Sequence, residues 1–167
     1  MLDESEQLLA DEIRELRELV LELREEAEID ASGMLFEAQV NRLADRTRRV
    51  WGLNTLVGMA LAHEPPAPLC RALRSLLQEA LSNAVRHGRA TAAEIWITDA
   101  DGDIVVDVSQ VGGGFAFEGT MDHDELIASR RGPVSLKARV RDLGGRLSIT
   151  SARDGAFVHI AIPRATP

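Results

Sequence analysis

Apolar residues recur with helical spacing through the first part of the chain. Leu9, Ile13, Leu16, Val20 and Leu23 follow one another at intervals of 4, 3, 4 and 3 within residues 5–28, a stretch without glycine or proline. That is the pattern of a heptad seam on one long helix. Leu8, Leu19 and Leu21 widen it, so it suits a two-chain bundle or packing onto the rest of the protein. Residues 29–33 read as a break, with Asp30 and Ser32 as cap candidates. A second helix is expected over about 34–50, burying Leu35, Phe36, Val40 and Leu43, and a strand over about 53–62. The proline-rich Glu64-Pro65-Pro66-Ala67-Pro68 cannot be helical through its middle. It leads into a third helix, about 68–87, with Leu73, Leu76, Leu77, Ala80, Leu81 and Ala84 along one face.

Beyond Gly88 the period drops to two. Residues 93–99 alternate around Ile95 and Ile97, and residues 104–111 around Ile104, Val106 and Val108; Asp101-Gly102 between them is a hairpin signal. Gly112-Gly113-Gly114-Phe115 then opens a stretch of mixed polarity that runs to Gly132. Pro133 starts a helix that ends at Leu143-Gly144-Gly145, and two strands, 146–152 and 156–163, close the chain through Asp154-Gly155. This order predicts an α+β two-layer sandwich, a mixed β-sheet with helices on one face, preceded by the long N-terminal helix. The expected division is residues 1–29 for that helix and 30–167 for the body.

Charge is unevenly placed. Residues 1–30 hold 12 acidic and 3 basic side chains, against 15 and 16 in the rest, so the net charge of −8 belongs to the first helix. The body has no basic stripe interleaved with aromatics, which argues against nucleic acid as a partner. No apolar run is long enough to span a bilayer, and the first residues are acidic, unlike a signal peptide. The single cysteine, Cys70, excludes an internal disulfide or a thiolate metal cluster and reads as a packing residue. A cytoplasmic setting is expected.

Candidate chemistry centres on the third helix. Glu79, Asn83, Arg86 and His87 stand at i, i+4, i+7 and i+8 and share a face away from the core stripe. A carboxylate, an amide oxygen, a guanidinium and an imidazole together suit a phosphate ligand with a hard cation, and equally suit a solvated face. Asp122, His123, Asp124 and Glu125 could be read as a metal site, but read more simply as a solvated loop. His63 and His159 show no carboxylate partner, and no hydrolase triad can be assembled.

Glu79-x-x-x-Asn83-Ala-x-Arg86-His87 resembles the asparagine box of the histidine-kinase-like ATPases, the GHKL superfamily. In the form Gln-Glu-Ala-Leu-Ser-Asn-Ala it resembles the sensor kinases that pair with NarL-type response regulators. The resemblance implies ATP and Mg²⁺ as ligands, with Asn83 on the metal, Glu79 as general base, and Arg86 and His87 near the phosphates. Gly112 and Gly114 match the family's first glycine box, but Gln110 stands where an adenine-reading aspartate is usual; its carbonyl can still accept from the adenine amine. Gly132 and Arg139 match the segment that closes the ATP lid, expected over about 115–132, with Pro133 replacing the usual leucine. Ser135 and Lys137 could compensate at the phosphates, although Lys137 also fits an exposed helix face. The N-terminal helix resembles the end of a dimerisation hairpin, implying a homodimer. No histidine precedes His63, so the phosphoacceptor histidine, and the response regulator beyond it, would be supplied by another protein or another part of a longer one. The two departures keep open a degenerate binding module of the same fold, and an anti-sigma-type serine kinase is a further alternative.

Overall fold

The computed structural model describes residues 2–164, apart from the side chains of residues 2–6, 11 and 18. The chain forms two compact units, Met1–Leu35 and Phe36–Pro167. The first is a single helix, α1 (Leu2–Ser32), whose seam residues Leu9, Ile13, Leu16, Val20 and Leu23 are exposed. It runs through the break expected at 29–33 and stops at Gly33, whose φ of 65° suits a helix terminus. Ser32 therefore caps no helix start; its hydroxyl donates to the Ile29 carbonyl at 2.8 Å.

The second unit is the expected two-layer sandwich. Its elements are α2 (Phe36–Trp51), β1 (Asn54–Ala60), α3 (Ala67–Arg86), β2 (Ala92–Ala100), β3 (Asp103–Val111), β4 (Gly119–Asp122), α4 (His123–Ala128), α5 (Val134–Asp142), β5 (Arg146–Ala152) and β6 (Gly155–Pro163). The sheet order is β1-β2-β3-β6-β5-β4, with β1 parallel to β2 and every other pair antiparallel. Strand alternation divides its faces cleanly. Ile95, Ile97, Val106, Val108, Val158 and Ile160 are buried against the helical layer, while Glu94, Trp96 and Phe157 are exposed on the other side.

α3 is the spine of the helical layer. Pro66 sits at its N-cap and proline recurs in its first turn, where the missing N–H has no partner to lose. Leu73, Leu76, Leu77 and Leu81 are fully buried, each contributing about 2 kcal/mol by removal from water. Cys70 packs in the same stripe, its thiol donating to the Pro65 carbonyl at 3.3 Å, and burial pushes its pKa up. Arg74 is also buried and donates to Gln39 of α2 at 2.7 Å. Glu64 in the proline-rich connection accepts from the Phe36 amide at 2.5 Å and so caps α2. Leu35, expected in that core, is 66% exposed; the buried series starts one residue later at Phe36. At the far end of the sheet Asp99 accepts from Arg164 at 2.5 Å and from the Ala62 amide at 2.6 Å. The Arg164 guanidinium, then that amide, hold its carboxyl below the usual range.

Candidate functional site

One turn of α3 separates Glu79 from Asn83, and the Asn83 amino group donates to the Glu79 carboxylate at 3.3 Å. α5 meets them there. It begins after Gly132, in the left-handed region at φ 72°, with Pro133 at the N-cap. Its Ser135 hydroxyl donates to the same oxygen of Glu79. A turn later Arg139 donates to the Ser75 hydroxyl at 2.8 Å. Ser75 and Glu79 are four residues apart on α3, and Ser135 and Arg139 four apart on α5, so two polar rungs clamp the helices together. Asn83 is buried and Glu79 half-buried. With its amino group committed to Glu79, Asn83 presents its side-chain carbonyl as a neutral oxygen acceptor. No side chain caps the start of α5, so its first-turn amides are open to an anion and carry the positive end of the helix dipole.

Arg86 and His87 lie exposed at the end of α3, where the His87 and Gly88 amides both donate to the Asn83 carbonyl. From there the glycine loop is built onto α3 by backbone. After β3 the chain must cross the ends of β6 and β5 to reach the far edge of the sheet, and it does so at Gly112–Gly114. The Gly113 amide donates to the Gly88 carbonyl at 2.5 Å and the Gly112 amide to the Asp154 carbonyl at 3.1 Å. A Cβ on Gly112 would come within 2.5 Å of the Gly88 carbonyl oxygen; one on Gly114 would run into the Ala152 carbonyl and Ser151 Oγ. Both glycines are thus required by protein backbone passing close by. Gln110 points into this junction, its Nε2 donating to the Gly113 carbonyl at 3.1 Å.

The lid region holds more structure than its polarity pattern predicts. Gly119–Asp122 pairs with β5 as the edge strand β4, and α4 follows at once. Asp122 accepts from the Glu125 amide and Glu125 returns the bond to the Asp122 amide, both at 2.9 Å, a full capping box. The acidic run is therefore a helix start, and among the described residues no group of three metal-ligating side chains occurs. Lys137, the candidate for an exposed face, is buried. Its ammonium donates to the Leu126 carbonyl at 3.2 Å and the Arg131 carbonyl at 2.5 Å, tying α5 to the lid.

The structure brings Glu79, Asn83 and Ser135 into one cluster beside Gly132, gathers Gln110, Gly112 and Gly114 at a backbone junction next to the end of α3, and turns Lys137 toward the lid. Sequence reading missed two partners. Ser75 completes the second rung; it sits four residues before Glu79, a spacing that could have marked it. Asp107 is the carboxylate partner that His159 was thought to lack: the two are cross-strand neighbours on β3 and β6, with Nδ1 and Oδ1 2.6 Å apart. A pair 52 residues apart leaves no local signal.

No family model matches the chain. Among curated proteins, the sensor histidine kinase ComP of Bacillus subtilis is 35% identical over 85 residues, 51% of this chain and 10% of that protein. The chain thus spans about a tenth of the length of that relative. Among solved structures, the histidine kinase domain of the blue-light activated kinase EL346 of Erythrobacter litoralis superposes with a TM-score of 0.61 at 20% identity, over 82% of this chain and 68% of that one. The Acinetobacter baumannii histidine kinase AdeS gives 0.57 at 16% identity, over 95% and 83%. The ATP-binding domain of PrrB from Mycobacterium tuberculosis gives 0.55 at 18%, over 78% and 94%. The chain has the fold of the ATP-binding catalytic domains of sensor histidine kinases.

Proposed function

We propose that this chain binds Mg-ATP between α3 and α5 and catalyses transfer of the γ-phosphoryl group to a histidine supplied by another protein or by another part of a longer one. The observation that carries this reading is the meeting of Glu79, Asn83 and Ser135 at the uncapped start of α5. The donor set fits the metal. A single amide oxygen beside one carboxylate, without a three-ligand cage among the described residues, suits a cation that keeps waters and shares phosphate oxygens. Asn83 would hold it, and once bound it would supply charge neutralisation at the phosphates. The amides of Val134–Leu136 receive phosphate oxygens at a helix N-terminus, and Arg86 and His87 add cationic or donor groups beyond Asn83. Glu79 takes the proton from the attacking imidazole once Ser135 gives up its bond. Gln110, its Nε2 held by Gly113, offers its carbonyl to the adenine amine. Lys137 serves by fixing the lid to α5 rather than by touching phosphate.

In this reading α1 pairs two copies through its exposed seam, and a response regulator collects the phosphoryl group from the histidine. ATP as the donor places the reaction in the cytoplasm. Calorimetric titration with Mg-ATP tests the proposal. Micromolar to sub-millimolar binding is expected, weakened at least about tenfold, or ~1.4 kcal/mol, by Asn83→Ala. No heat at millimolar Mg-ATP would overturn it.

A further inference from the structure

The two edges of the sheet differ in character. β4 is four residues long, ends in Asp122 and runs straight into α4, the features that keep an edge from pairing with another chain. β1 has none of them. Its seven residues, Asn54–Ala60, carry no charge and no proline, among the described residues pair only with β2, and leave Leu56 71% exposed. The Asn54 amide donates to the Thr91 carbonyl at 3.1 Å. By strand alternation the backbone groups of Leu56 and Gly58 also face β2, and those of Thr55, Val57 and Met59 face outward.

On the exposed face of the sheet, Gly58 lies beside Trp96 of β2. The indole covers the glycine: a Cβ there would sit 2.5 Å from the ring. Trp96 is held in place by its own bond to Glu94, at 2.7 Å, and is half exposed. Two residues back, exposed Leu56 projects from the same face. The strand thus carries a knob at 56 and a gap roofed by an aromatic ring at 58, symmetric about Val57.

We propose that β1 is a self-association edge, on which a second copy of this chain lays its own β1 antiparallel about a two-fold axis through Val57. This is the two-fold register that pairs all seven residues. Val57 exchanges both backbone hydrogen bonds with the partner's Val57, and Thr55 and the partner's Met59 do the same in turn. Leu56 falls opposite the partner's Gly58 in a non-hydrogen-bonded pair, where Cα atoms are only about 4.5 Å apart, and packs against the partner's Trp96. The absence of charge on the strand means no like charges meet. An edge pair of this length buries less than the roughly 1,000 Å² of a stable independent interface, so the association is weak and rises with concentration.

Disulfide trapping in the full chain tests the register. Across the axis the two Val57 positions would be about 5.5 Å apart, inside disulfide range, whereas two Leu56 positions are offset by two residues and fall outside it. Under mild oxidation Val57→Cys should form covalent dimer at least about fivefold faster than Leu56→Cys; buried Cys70 is common to both. Val57→Pro, which removes one outward N–H and no bond to β2, should shift the sedimentation equilibrium toward the smaller species with the far-UV circular dichroism unchanged. Equal trapping at both positions would overturn the proposal. So would trapping only when a different protein supplies the strand, or an assembly no smaller after Val57→Pro, the result expected if α1 alone pairs the copies.

Discussion

Gly114→Ala separates two reasons for a glycine-rich loop: room for a ligand and room for the protein's own backbone. The added methyl would lie 2.5 Å from Ser151 Oγ and closer still to the Ala152 carbonyl oxygen, where an ordinary carbon–oxygen contact is roughly 3.3 Å. The nearest obstacle is backbone and cannot swing aside, so the loop and the β5–β6 hairpin must part. Overpacking of this kind costs about 1–3 kcal/mol. The Phe115 amide's bond to Ser151 Oγ, 2.8 Å long, would be strained or lost with it, adding about 1 kcal/mol. The sum, about 2–4 kcal/mol, is a large share of a typical stability of 5–15. Urea unfolding followed by tryptophan fluorescence is the assay, because Trp51 and Trp96 both belong to the Phe36–Pro167 unit. The urea midpoint should fall by roughly 1–2 M at unchanged slope. An unshifted midpoint together with lost Mg-ATP binding would show that the glycine serves the ligand and refute the backbone account.

Two further substitutions probe the framework. The Asp99 carboxyl is held below the usual carboxylate range, first by Arg164 and then by the Ala62 amide; its contribution to stability is fully present above the unfolded value near ~3.9 and fades as pH falls through the lowered folded value. Asp99→Asn should therefore lower the melting temperature at pH 7, with the gap to the parent closing below about pH 4; a gap independent of pH would contradict the assignment. Lys137→Met keeps the length of the side chain but removes the ammonium that donates to both the Leu126 and Arg131 carbonyls. Amide exchange over residues 119–131 should quicken about tenfold, equivalent to ~1.4 kcal/mol of local stability, and unchanged exchange would mean that the lid holds without it.

Much of the fold was legible because its elements are long and strongly periodic. α3, the β2–β3 hairpin with its Asp101-Gly102 turn, and β5 fall where alternation and turn residues place them. The lid did not announce itself: β4 has four residues, too few to show a period, and its pairing with β5 is made across some thirty positions. One signal was available, since Asp122-x-x-Glu125 before Leu126 is a capping-box sequence, yet the carboxylates were read as solvated charge. Lys137 misleads for a related reason. Residue type argues for solvent, whereas the Leu126 carbonyl of α4 and the Arg131 carbonyl just beyond that helix draw its ammonium inside. Spacing put Glu79 and Asn83 on one helix face and the resemblance to an asparagine box singled them out, but their link to Ser135 depends on how α5 crosses α3, which no local pattern encodes.

The most direct test of the central claim is to map the nucleotide by NMR, recording amide and Asn side-chain shifts as Mg²⁺ and a non-hydrolysable ATP analogue are added. The account predicts the largest changes at the Asn83 side chain, Gly132 and the Val134–Leu136 amides, with Asp107 and His159 on the opposite face of the sheet unmoved. Changes confined to that opposite face, or none at millimolar analogue, would contradict it.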